Sequence, residues 1–338
     1  MILLLLDVRI YLILFVFLLP LNLLSQGKDS TAYTLYQKRV VLYADLGFNS
    51  APFSLKDNYN LGVKKIKYKN NIRAVLGIGL AYKWFAFRLG LPIPGQIKSI
   101  SRFGKTNYYD LGVKFSVKQI FIDIDFRYYN GYVIKGEYKW NDKLNELNPN
   151  GIYPSITSFS TSINSWYFNS KNLNMRAVFG KVGHYEKPIH TWYIKSSVNL
   201  FGISNGVSSI VPAELSDSTD RQKTSSIVAF DFGAIPGYTY VNRVNNWQFA
   251  LFGGLGGVVQ VQSYKKQDGE SKGALGLAPR IDLRFIGGYS KPKYFILLAT
   301  DFDIKSLKIE RLSYNQSFYN IRLITGVRLL KRKNKKGI

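Results

Sequence analysis

Few groups in this chain could do chemistry, and their spacing limits what chemistry that would be. Its only two histidines, His184 and His190, flank Glu186, and these residue types can ligate a metal ion. Their spacing is not the helical arrangement that places two imidazoles on one face, so neither a metal centre nor another cofactor is expected. Serines are plentiful, but a hydrolase needs a histidine and a carboxylate to converge on one of them, and nothing in the order selects one. The absence of cysteine removes thiol nucleophiles, cysteine metal clusters and disulfides. The run Gly253-Gly254-Leu255-Gly256-Gly257 is followed by neither Lys-Ser nor Lys-Thr and opens no helix pattern, so it is not a phosphate loop. It reads as a strand whose small residues let a wall bend or leave room beside it. The chain is therefore not expected to be an enzyme.

The remaining candidates are charges at alternate positions: Arg88, Asp110, Lys114, Asp123, Asp125, Arg127, Arg280, Asp282, Arg284, Asp301, Asp303, Arg322 and Arg328. Each lies on the polar side of a segment with period two, the β-strand period. Tyr109, Leu111, Val113, Phe115 and Val117 oppose Asp110, Gly112, Lys114 and Ser116, and Tyr319, Ile321, Leu323, Thr325, Val327 and Leu329 oppose Asn320, Arg322, Gly326 and Arg328. A soluble sandwich alternates in the same way. Connection lengths separate the two cases, because membrane barrels alternate short periplasmic turns with longer outer loops.

Short connections fall near Lys83 and at Lys118-Gln119, Asn169 to Asn172, Ser204 to Gly206, Asn242 to Asn246 and Gly288 to Pro292. Longer ones are Asn49 to Asn71, Pro92 to Lys105, Asn130 to Pro154, His184 to His190, Ser216 to Thr224, Ser263 to Gly273 and Lys305 to Asn315. This order predicts an all-β fold, a transmembrane antiparallel up-and-down β-barrel of about 14 strands with both termini periplasmic. Val207 to Leu215 is its weakest strand because it contains Pro212. Without it the count becomes 12, provided that another weak segment such as Ser158 to Tyr167 is also reassigned. A charge facing lipid at the midplane costs roughly 2 to 4 kcal/mol for Arg or Lys, so the alternating charges belong in the lumen. There they either form an ion-paired filling or line a pore that selects by charge. With 14 strands the lumen is wide enough to need a plug, for which Gln26 to Gln37, Asn49 to Asn71 and Asn130 to Pro154 are candidates.

Composition agrees. The 338 residues include 24 Tyr and 22 Phe, and aromatics such as Tyr82, Trp84, Tyr108, Tyr128, Tyr129, Trp166, Tyr167, Trp192, Trp247, Tyr294 and Tyr319 sit at or near strand ends, as an interfacial girdle would. Lys and Arg number 46 against 21 Asp and Glu, a net charge of +25. The cations are scattered and no nucleic-acid-binding pattern accompanies them, so nucleic acid is not an expected partner. Anionic lipid or solute suits them better, and a solvated basic surface is the plain reading. Residues 1–25 carry Arg9 ahead of the apolar run Ile10 to Leu24 and read as a signal peptide. Residues 26–37 are then a periplasmic segment, 38–330 the barrel and 331–338 a basic tail.

Several short pieces, in order, resemble a family of Bacteroidetes outer-membrane proteins known as domain of unknown function 4421. They are Asp29-Ser30-Thr31 with Tyr36, Leu42-Tyr43, Leu76-Gly77, Tyr82-Lys83-Trp84, Leu89-Gly90, Gly104-Lys105-Thr106 with Asp110-Leu111, Arg127-Tyr128-Tyr129 with Gly131-Tyr132, Tyr153-Pro154, and Gly237-Tyr238-Thr239-Tyr240. The resemblance implies a barrel in the bacterial outer membrane and supplies no catalytic residue. The chain departs from many such barrels in passing from Leu329-Leu330 into Lys331-Arg332-Lys333 instead of ending on an aromatic residue. Three functions follow from this reading: passage or binding of small solutes, which is the leading expectation, structural docking of other envelope proteins, and a hydrolase without a motif to support it. Outer-membrane lipid is a partner in all three.

Overall fold

The computed structural model describes residues 32–36, 38–71, 74–95, 98–135, 151–216, 222–309 and 311–330. The period-two segments form antiparallel strands that consistently turn their apolar residues outward. On β2 (Arg39–Ser50), Leu42, Leu46 and Phe48 stand 44–48% exposed while Val41, Tyr43 and Asp45 point inward and are buried. β5 (Ala74–Tyr82) does the same with Leu76, Ile78 and Leu80. β6 (Phe85–Pro92), β7 (Asn107–Val117), β8 (Ile120–Lys135), β9 (Ile152–Phe168), β11 (Ile189–Ser204), β12 (Thr224–Val244), β13 (Trp247–Lys266), β14 (Ser271–Ser290), β15 (Tyr294–Ile309) and β16 (Leu312–Leu330) complete the wall. β16 pairs back onto β2, from Tyr319 opposite Ser50 to Leu330 opposite Arg39, and closes the ring.

The sheet has fourteen strands, because the β2–β5 hairpin continues upward as β3 (Phe53–Lys56) and β4 (Lys65–Lys69). β3 stays on β16, whereas β4 pairs with the top of β8, Lys67 opposite Lys135. Below, the wall runs β16-β2-β5-β6-β7-β8; above, it runs β16-β3-β4-β8, so the barrel narrows from twelve strands to ten. The connection between Pro92 and Asn107, with the one-turn helix Ile100–Phe103, therefore lies against the outside of the narrower part. It covers Ser50, whose neighbour Asn49 faces the lumen, and Asn71 Nδ2 ties it down by donating to the carbonyls of Lys98 (3.1 Å) and Gly104 (2.8 Å). On the far side, β14 and β15 pair only from Leu283–Phe302 to Ser290–Phe295. Above that, Arg280 Nη1 and Gln260 Nε2 donate to the carbonyls of Ile304 (3.1 Å) and Ser306 (3.0 Å), in place of strand pairing.

The tight turns at residues 83–84, 118–119 and 245–246 mark one end, each containing a residue of positive φ, Lys83, Lys118 and Asn245. That end is periplasmic. Both ends of the lumen are capped. The periplasmic cap is the connection 169–188, with the one-turn helix Met175–Val178 and β10 (Gly183–Tyr185) paired to β1 (Tyr33–Leu35). Leu173, Met175, Ala177 and Val178 are buried there among Phe121, Trp166, Tyr193 and Phe295. The outer cap packs Phe53, Leu55, Ile66 and Tyr68 of the β3–β4 hairpin with Ile210, Val211 and Leu215.

Fourteen antiparallel strands are as expected, but not the same fourteen. Val207 to Leu215 is no strand: it lies in the outer connection 205–223, where its apolar residues fill the cap. Ser158 to Tyr167 is a full wall strand, and the segment between Asn172 and His184 is the one that drops out. His184 and His190 consequently lie at the periplasmic end, not in an outer loop. Of the expected plugs, 49–71 holds the outer-cap hairpin and the described part of 26–37 joins the periplasmic cap, while most of 130–154, the segment 1–25 and the tail 331–338 lie outside the described residues. Tyr108, Tyr129 and Trp166 are interior residues, 1–3% exposed, not members of a girdle, whereas Trp84 and Trp247 do face outward at the periplasmic rim.

Candidate functional site in the lumen

Between the two caps the inward positions carry charge, and the curvature of the ring brings distant strands together. Arg88 on β6 forms a bidentate pair with Asp45 on β2, at 2.7 Å for both bonds, and also contacts Asp110 on β7. Lys114 meets Asp123 at 2.5 Å, and Arg284 reaches the same carboxylate at 3.3 Å from across the barrel. Arg284 and Arg322 share Asp301 at 2.5 and 3.1 Å. Arg127 pairs with Asp125 at 3.6 Å, Lys305 with Asp303 at 3.7 Å, and Arg280 with Asp231. Asp282 accepts from Lys195 (3.0 Å), Tyr193 (2.7 Å) and Trp166 Nε1 (3.2 Å).

These pairs join eight cations to eight aspartates, so the layer is electrically balanced. A ring that selects solutes by charge presents one sign to the pore. This layer presents none, and most of its members are nearly buried: the Arg280 and Asp231 side chains are 2% and 0% exposed. Buried charges persist only when paired and hydrogen-bonded, which is what the geometry supplies. The Lys305 ammonium, for example, also donates to Ser160 (2.6 Å) and Ser162 (3.1 Å).

Twelve of the thirteen charges singled out by alternation lie in this layer. The exception is Arg328, whose guanidinium sits at the periplasmic end and donates to the carbonyls of Gly180 and Lys181, the latter at 2.6 Å, and to Ser290 Oγ at 2.8 Å. It fastens the cap to the last strand. Sequence reasoning missed Asp45, Lys195, Asp231 and Lys305, although each alternates with outward residues, as Asp231 does between Phe230 and Phe232. The glycine-rich run leaves room inside at Gly254, where a Cβ would come within 3.0 Å of the Tyr193 hydroxyl, and Gly237, opposite it on β12, does the same, a Cβ there lying 2.3 Å from the Tyr193 ring. The two histidines do not share a site. His184 Nδ1 meets the Tyr36 hydroxyl at 2.7 Å, His190 Nδ1 meets that of Tyr238, and Glu186 accepts from Thr34.

A second buried cation, besides Arg328, stands outside the balance. Lys181, in the connection 169–188 and so outside the spanning strands, is 8% exposed and rests on the Tyr43 ring at 3.6 Å, with no acidic partner among the described residues. Burial pushes its ammonium well below the ordinary lysine range, with Lys114 and Arg322 pushing the same way and Asp45 opposing. The unfolded chain therefore binds the extra proton more readily, and stability falls as pH drops from the ordinary lysine range toward the folded-state value. Lys181→Met is expected to stabilise the fold at neutral pH, where the folded chain holds the lysine at the greatest cost. The gain should shrink toward zero above about pH 10.4. Urea midpoints at pH 7 and 11 check this, and an equal gain at both would refute the assignment.

The family model for a domain of unknown function (DUF4421) matches residues 28–329. The chain belongs to this family. A closed ring with lipid-facing apolar strands and inward charges further makes this DUF4421 chain a bacterial outer-membrane β-barrel. No curated protein matches it. Among solved structures, it is similar to the outer membrane protease OmpT from Escherichia coli at 8% identity, covering 90% of this chain and 100% of that one with a TM-score of 0.41. It is also similar to the toluene transporter TodX of P. putida (8% identity, 87% and 91% covered, TM-score 0.25) and to the outer membrane protein OprG from Pseudomonas aeruginosa (10%, 87% and 98%, 0.23). Likeness at this level transfers no activity to the chain.

Proposed function

We propose that this barrel is a closed, non-catalytic scaffold that holds other envelope components at its two rims, rather than a passage for solutes. The balanced ion-paired layer carries this reading: each of its charges has a partner of opposite sign, so it presents no single sign to a permeating ion. The caps support it, because each adds packed apolar side chains across the lumen where a channel would need water. The periplasmic rim supplies a platform of β1, β10 and the ordered connection between them and the wall, and the outer rim supplies the β3–β4 hairpin. Purified protein in planar bilayers is expected to stay silent. Migration of the reconstituted protein as a folded barrel, read on the same preparation, controls for insertion. Steady ion conductance by the unaltered protein would sink the proposal.

A further inference from the structure

We infer that the outer rim carries a site for the phosphorylated headgroup of an outer-leaflet lipid, in the cleft between the upper wall and the connection that joins β6 to β7. The cleft has a volume of about 500 Å³, and Ser50, Lys69, Asn70, Lys98, Phe103 and Tyr319 are among its lining residues. It lies on the outward side of the wall: Tyr319 follows Ile321, Leu323, Val327 and Leu329 on the outward face of β16, and Ser50 follows Leu42, Leu46 and Phe48 on that of β2. The cleft thus begins where the lipid-facing belt ends, which is the level of the headgroups. Its charge fits that place. Among the described residues neither Lys69 nor Lys98 has an acidic partner and no carboxylate lines the cleft, and the Lys98 ammonium lies 5.0 Å from the Phe103 ring centre. Lys65, Lys67 and Lys69 all alternate with the inward Ile66 and Tyr68, so one strand presents three lysines outward. A second hollow beside it, of about 350 Å³, is lined by Lys56, Lys64, Lys308 and Arg311 together with Asp57. Since the paired lumen charges cancel, the net charge of +25 lies elsewhere on the chain, and this rim holds part of it.

The narrowing of the barrel creates the cleft. Where β4 turns aside to β8, the β6–β7 hairpin is left outside, and the space under its connection opens toward lipid rather than toward the lumen. An anionic headgroup there would bring its acyl chains onto the exposed faces of Phe48 and Ile321 below. A free anion would gain only the lysines. This site is independent of whether the lumen conducts.

The test uses the full protein in nanodiscs doped with diphosphorylated lipid A or with the same lipid stripped of phosphate, with bound lipid counted by native mass spectrometry. The diphosphorylated form should be retained preferentially, and Lys69→Gln with Lys98→Gln should lower its retention by about thirty-fold, as expected for two basic residues at an anionic surface. Lys118→Gln, at an exposed turn on the opposite rim, should change nothing. Three results would overturn the inference: equal retention of both lipids, retention unchanged in the double variant when that variant migrates as a folded barrel, or full displacement by millimolar inorganic phosphate, which would mark a site for a free anion.

Discussion

Asp231→Ala is expected to destabilise the barrel by about 3–5 kcal/mol, the usual consequence of stranding a buried charge. Asp231 is the sole ion-pair partner of Arg280 among the described residues, and its carboxylate also accepts from Asn199 Nδ2 (2.6 Å) and Gln260 Nε2 (3.4 Å). Removing it leaves a buried guanidinium with the Ile304 carbonyl and the face of the Phe201 ring, but no carboxylate, to meet it. The interaction is costly to break but not necessarily favourable to have, because two desolvated ions are being compared with two apolar groups. The double change Asp231→Ala with Arg280→Met should therefore recover most of the loss. Urea unfolding in micelles, followed by tryptophan emission, measures both. If the single variant loses less than about 1 kcal/mol, or the double variant is no better than the single, the pair is not the buried contact described.

Phe53→Ala should cost a similar amount, about 3–5 kcal/mol, but through a cavity and at one end of the molecule. Its ring stacks on Tyr68 at 4.4 Å, meets Tyr132 edge-on at 5.0 Å and lies 5.7 Å from Tyr314, so it is the point at which the β3–β4 hairpin holds to the wall. None of these ring contacts, nor its strand pairing with Gln316 and Tyr68, reaches residues 39–48 of β2. Hydrogen exchange should accelerate at amides of residues 53–69 and stay unchanged across 39–48. A uniform loss of protection would mean that the outer cap is not a separate unit.

The wall was legible because lipid imposes one rule on every strand, apolar outward, and the inward charges follow from it. The caps were legible only in part: 49–71 and the described part of 26–37 fall where plugs are expected, but 173–183 and 207–215 read as wall strands, for the same reason turned around. Leu173, Met175 and Ala177 alternate with Asn174 and Arg176 as a wall strand would, yet they meet the inner surface of the barrel, where a helical turn packs as well as a strand. Ile210 and Val211 fail in the same way at the other end. Period two identifies an apolar face but not which apolar surroundings receive it. Two such misreadings cancelled, so the expected strand count came out even while His184 and His190 were assigned to the wrong side. Nor could sequence show that Arg284 reaches Asp123, 161 residues away, since the stagger around the ring sets that meeting. Trp166, Tyr108 and Tyr129 were assigned to the interface from their position near strand ends; Trp166 instead finds its hydrogen-bond acceptor inside, on Asp282.

The guanidinium that clasps Gly180 and Lys181 belongs to the strand made last. Gln248 already grips the same seal at Ala177, Val178 and Tyr185, and Arg243 at Tyr185, so seating that strand against the first adds one more clasp to a floor that is partly held.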